Sequence, residues 1–88
     1  MGVSENFVGL IQRTSDDFIR DNIYMIDKTM LARALSNIAP PHQEKVFRNM
    51  PPDSAAEVRR IIGSLGSVSA ASIEAAQQEI MSLAAQAI

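Results

Sequence analysis

Residues 47–80 read F-R-N-M-P-P-D-S-A-A-E-V-R-R-I-I-G-S-L-G-S-V-S-A-A-S-I-E-A-A-Q-Q-E-I, and the order of signals in them implies stacked short helices. One helix ends near Met50, and Pro51-Pro52 turns the chain. Ser54-Ala55-Ala56-Glu57 has the form of a capping box, in which hydroxyl and carboxylate satisfy each other's backbone N–H groups. Behind it Val58, Ile61, Ile62 and Leu65 recur at i, i+3, i+4 and i+7, the apolar stripe of an amphipathic helix, with Arg59 and Arg60 pointing away. Gly63 is tolerated inside that helix, and Gly66 suits the left-handed residue just past its end. Ser69 or Ser72 then caps a final helix running to about residue 86. Ile73, Ala76, Ile80 and Ala84 form its core face, widened by Met81, Ala85 and Ile88.

The preceding residues look like helices arranged to cover that stretch. Residues 4–13 place Phe7, Leu10 and Ile11 on one face, with Ser4 as the cap. Thr14 and Asp17 approximate a second capping box before a helix over residues 16–25, with Phe18, Ile19, Asn22 and Ile23 facing in. Asp16 and Asp17 favour the positive end of that helix's dipole. Asp27 caps the next helix, residues 28–38, whose stripe is Met30, Leu31, Ala34, Leu35 and Ile38. Ala39-Pro40-Pro41-His42 stops it and opens a helix over about residues 41–49 that buries Val46, Phe47 and Met50. Asn37-Ile38-Ala39-Pro40-Pro41 is echoed by Asn49-Met50-Pro51-Pro52, a weak internal repeat of short helices joined by proline corners.

Composition agrees. The 88 residues allow one domain, residues 1–88, with 47% apolar and 20% charged residues. A chain of this size buries only about 60–65% of its unfolded surface, so packing has to be good. Aromatics are Phe7, Phe18, Phe47 and Tyr24 alone, so the core is aliphatic. The absence of cysteine excludes a disulfide framework, a thiol nucleophile and a Cys-based zinc site. The first six residues lack the basic start and apolar run of a signal peptide and are a poor myristoylation match. No apolar run approaches the ~18 residues of a membrane span. Net charge is −2, and residues 1–28 carry all of the acidic excess. No basic face emerges that would track a phosphate backbone, so nucleic acid is not expected as a partner.

The chemistry is sparse. His42 stands alone beside Glu44 and reads as a solvated side chain in a first helical turn. Asp16, Asp17 and Asp21 share part of a helix face and read as solvated acids rather than metal ligands. Gly63-Ser64-Leu65-Gly66 lacks the preceding strand and following Lys-Ser or Lys-Thr of a phosphate loop. No catalytic, metal or cofactor site is expected, and no small-molecule substrate. Met25, Met30, Met50 and Met81 read as core fill, while Met81 with Ala85 and Ile88 also supplies an apolar excess suited to docking another helical domain. Arg59 and Arg60 are the charged candidates for partner contact.

Two stretches carry a resemblance. Gln43-Glu44-Lys45-Val46-Phe47-Arg48-Asn49-Met50 and Glu74-Ala75-Ala76-Gln77-Gln78-Glu79-Ile80, with Ala34-Leu35 before and Gly66-Ser67-Val68 between, are similar to the C-terminal armadillo-type domain of the flagellar motor switch family FliG, in register without a gap over residues 31–80. The segment Ala56-Glu57-Val58-Arg59-Arg60-Ile61 also resembles that family's middle domain, whose E-H-P-Q partner-binding signature would fall at Ile26-Asp27-Lys28-Thr29 and is absent. The resemblance implies a compact, right-handed, armadillo-like all-α bundle of five or six helices. It implies a non-enzymatic structural or interaction module of the bacterial flagellar rotor, cytoplasmic, at the inner face of the membrane within a basal body. Partners would be other helical domains, rotor components or a second copy. The family's motor-facing charges are replaced. A family Lys stands as Ser36, an Arg as Asp53, a pair of aspartates as Arg60 and Ile61, and an Arg as Ser69. The alternative is a stand-alone helical scaffold or regulator that kept the fold without the motor role.

Overall fold

The four-residue run Leu31, Ala32, Ala34 and Leu35, interrupted only by Arg33, is buried on both sides of its helix and forms the hub of the structure. The computed structural model describes residues 2–87. Six α-helices follow one another: α1 Val3–Arg13, α2 Asp16–Asn22, α3 Lys28–Leu35, α4 Pro40–Phe47, α5 Pro52–Ser64 and α6 Ala70–Gln86. A 3-10 turn, Ile23–Met25, follows α2. Among the described residues there is no strand, and the all-α, armadillo-like class expected from the sequence is the one observed. Helix α3 packs against α5 and α6, and α1 packs against α6 and α4. The small side chains of Ala32, Ala34, Ala55 and Ala76, all buried, let these short helices approach closely around Phe7, Ile11, Leu35, Val58 and Ile80.

The start of α3 forms as read, and of the two serines open to α6 it is Ser69 that caps. Asp27 accepts from Met30 N at 3.0 Å and Ser69 from Ser72 N at 3.1 Å. Gly66, at φ 64°, follows the α5 cap residue Leu65 and is the only described residue with positive φ.

Other starts differ from the sequence reading. Ser4 does not cap α1, which begins at Val3. Its hydroxyl turns instead into the fold. Thr14 does not cap α2: its hydroxyl donates back to Leu10 O, and Ser15 accepts from Phe18 N at 3.1 Å. The box at Ser54 and Glu57 does not form. Pro52 occupies the first helical position, where its fixed φ is already helical and its missing N–H costs nothing, so α5 starts two residues before the box. Glu57, released from capping, pairs with Lys28 Nζ at 3.0 Å and ties α5 to the start of α3.

The two proline corners are out of register. In the first the helix begins at Pro40, the leading proline; in the second it begins at Pro52, the trailing one. What repeats is the asparagine before each. Asn37 Nδ2 donates to Ser4 Oγ at 3.1 Å in the first turn of α1, and Asn49 Nδ2 donates to Asp16 Oδ1 at 3.0 Å at the start of α2. Each corner is thus bonded to the start of an earlier helix.

Helix α2 ends at Asn22 rather than running to residue 25. The tighter 3-10 winding that follows turns Tyr24 and Met25 outward, to 80% and 44% exposure. Met25 is therefore not core fill; Met30, Met50 and Met81 do pack against the core. Ile38 is buried as expected, but from a turn, because α3 ends at Leu35.

Candidate interaction surface

Gln77 is the most informative side chain in the fold. It lies on α6 at the i+4 position from Ile73 and has no exposed surface. Its Nε2 donates to Ala34 O and to Asn37 Oδ1, both at 2.9 Å, and its Oε1 accepts from Ser4 Oγ at 2.8 Å. One amide thereby joins α6 to α3, to the first proline corner and to α1. The apolar face Ile73, Ala76 and Ile80 expected from the sequence includes Ala76 but not Gln77. The spacing 73, 76, 77, 80 is itself a complete helical stripe, and that spacing was the available signal.

Phe47, Arg48 and Asn49 form a second internal cluster. Phe47 is buried. Arg48 Nη2 donates to Asp16 Oδ1 at 3.0 Å and Oδ2 at 3.1 Å, and Asn49 donates to the same carboxylate and to Lys45 O. The Asn49 amide first, then the Arg48 guanidinium, hold the Asp16 carboxyl below its ordinary range by stabilising the ionised form. Lys45 completes the join by donating to Ile11 O at 2.7 Å and Gln12 O at 3.1 Å, capping the end of α1 with a cation. Asp17 pairs with Arg20. Asp16 and Asp17 thus turn to different partners, while Asp21 stays exposed, and no group of three His, Asp or Glu side chains suited to a metal ion occurs among the described residues.

The residues expected to meet a partner lie on two separate sides. Arg59 stacks over the Phe47 ring, 4.2 Å from its centre, and pairs with Glu44 at 2.9 Å, so it links α5 to α4. Arg60 is exposed and makes no hydrogen bond or ion pair to other described residues. It belongs to an exposed stripe of α5 with Asp53, Ala56 and Gly63. Met81 is half-buried and Ala85 exposed; both line a shallow groove with Leu10, Arg13 and Phe18. Ile88 lies outside the described residues. Arg60 and the Met81–Ala85 edge border different elements, and the structure does not bring them together. Of the other positions named from the resemblance, Ser36 is half-buried and bonds to Arg33 O, Ile61 packs against the core, and Ser69 caps α6. His42 is half-buried in the first turn of α4.

A domain of this kind, built of short stacked helices joined by internal polar contacts, belongs to the class of compact all-α helical domains. The chain is a member of the FliG C-terminal domain family, which matches it over residues 6–88. It is 35% identical over 83 residues to the flagellar motor switch protein FliG of Borreliella burgdorferi, an alignment covering 94% of this chain and 23% of the relative. The chain thus spans about a quarter of that relative's length. No helix among the described residues is long and apolar enough to cross a membrane.

Proposed function

We propose that residues 1–88 work as one non-enzymatic interaction module of the flagellar rotor and switch assembly, on the cytoplasmic side of the membrane. The observation that carries this reading is the family match across residues 6–88. Its partners are other helical domains, either rotor components or a second copy, with no nucleic acid and no small-molecule substrate involved. Two surfaces serve as contacts. One is Arg60 on the outer stripe of α5, with Arg59 beside it; the other is the Met81 and Ala85 edge of α6, which Ile88 continues in the sequence. Arg59 is already engaged with Phe47 and Glu44, so Arg60 is the stronger of the pair.

A second reading rests on one specific observation. The outward positions 53 and 60 carry Asp and Arg where the resembled pattern has Arg and Asp, and Ser36, Ile61 and Ser69 carry no charge at all. That substitution favours a scaffold or regulator that retains the fold without generating torque. Pull-down with purified rotor and stator components separates the two. Capture of a rotor component, weakened by Met81→Glu or Arg60→Glu, supports the first reading. Failure to bind any component sinks it. Light scattering on wild type and Met81→Glu tests self-association at the α6 edge; a multimer that survives the substitution removes that edge from the proposal.

A further inference from the structure

Helices α1, α3, α4, α5 and α6 interlock through α3 and α1, whereas the extensive packing of α2 is with its own 3-10 turn. Between α2 and the rest lies an apolar crevice of about 80 Å³, with Phe18, Ile19 and Ile23 on one wall and Leu10, Ile80 and Leu83 on the other. Side chains lining a void lose the dispersion contacts a filled seam would supply, so this boundary is loosely packed. Only Ile19 is buried within α2. The polar join at its start, Asp16 to Arg48, has side chains 46% and 59% exposed, where water competes for both ions. A helix of seven residues does not persist alone, so once separated it melts.

We propose that residues 16–25 are a strap that opens from the other five helices as one cooperative unit, pinned by the Asp16, Arg48 and Asn49 cluster at one end and by Ile26-Asp27 at the other, and that its opening uncovers the apolar crevice. The strap is a conformational device: it sets when Phe18, Ile19, Ile23 and the facing wall of α6 reach solvent. This does not depend on which partner the domain meets.

Native-state hydrogen exchange on the full chain tests it, at a pH where closing outruns exchange and at low denaturant concentrations. The amides of Ile19 through Ile23 are expected to share one opening free energy and one non-zero denaturant slope, both below those of α3 and α6. Individual values with zero slope indicate end fraying and overturn the proposal. Two variants sharpen the test. Val58 packs outside the strap, so Val58→Ala destabilises the closed and strap-open states equally relative to the unfolded chain; it should speed α6 amides roughly tenfold while leaving strap amides unchanged. Asp16→Asn removes a bond lost in both openings, so both sets should speed by the same factor, roughly two- to fivefold. If Val58→Ala speeds the strap amides as much as those of α6, the strap opens only by global unfolding and the inference is wrong.

Discussion

The hydroxyl of Ser4 donates to Oε1 of Gln77 at 2.8 Å across 73 residues of chain, and this bond closes the first helix onto the last. It saturates a buried amide whose other end holds Ala34 O and Asn37 Oδ1. A polar group buried this completely stabilises only while all its partners are present, because each loss leaves an unsatisfied donor or acceptor without water.

Gln77→Leu is therefore expected to destabilise the domain by about 1–3 kcal/mol although it adds apolar surface, since Ala34 O is left unpaired in the core. For a domain of this size that lowers Tm by about 4–8 °C per kcal/mol. Gln78→Ala, exposed on the same helix, should stay within about 0.5 kcal/mol. Urea unfolding followed by circular dichroism measures both; equal effects at the two positions would remove Gln77 from its role.

Asp16 predicts a pH dependence with a definite sign. Its carboxyl is held below its ordinary value in the fold, chiefly by Asn49 and Arg48. A depressed carboxylate contributes stability that is present above the unfolded value, about 3.9, and is lost as pH falls through the lower folded value. Wild type should exceed Asp16→Asn in stability at neutral pH, and the two should converge only in strong acid. A difference that stays constant from pH 6 to pH 2 contradicts the assignment.

Two glycines should respond with opposite sign. Gly66 has φ 64°, where a Cβ is strained, so Gly66→Ala should cost about 1–2 kcal/mol. Gly63 lies inside α5, where an added Cβ meets nothing within 4 Å, so Gly63→Ala should stabilise by about 0.5–1 kcal/mol. Thermal unfolding of the two single variants checks both directions at once.

The adjacent arginines should separate by function. Arg59→Ala is expected to cost about 0.5–1 kcal/mol through the lost stack on Phe47. Arg60→Ala should leave stability within about 0.5 kcal/mol and weaken only partner binding. A double-mutant cycle between positions 59 and 47, with calorimetric binding of a captured rotor component by each single variant, distinguishes the two. Comparable loss of stability at both positions would sink the division.

The sequence by itself determined what is local. Apolar spacing of 3.6 residues with the proline pairs located the six helices and two of their corners, and Asp27 and Gly66 marked ends whose partners lie within three or four residues. The stretches carrying the family likeness, around Phe47 and Gln77, are legible too, though not what Asn49 and Gln77 do there: in the fold their amides hold helices together. Only the tertiary structure decided the destinations of long polar side chains. Ser4 and Glu57 each had a plausible cap nearby and took instead a partner 73 or 29 residues away. Met25, likewise, was turned outward by a change of winding that no apolar spacing records. The physical reason is the same in each case. A hydrogen bond is chosen by which donors and acceptors are brought together and shielded from water, and that is fixed by how the helices stack rather than by distance along the chain.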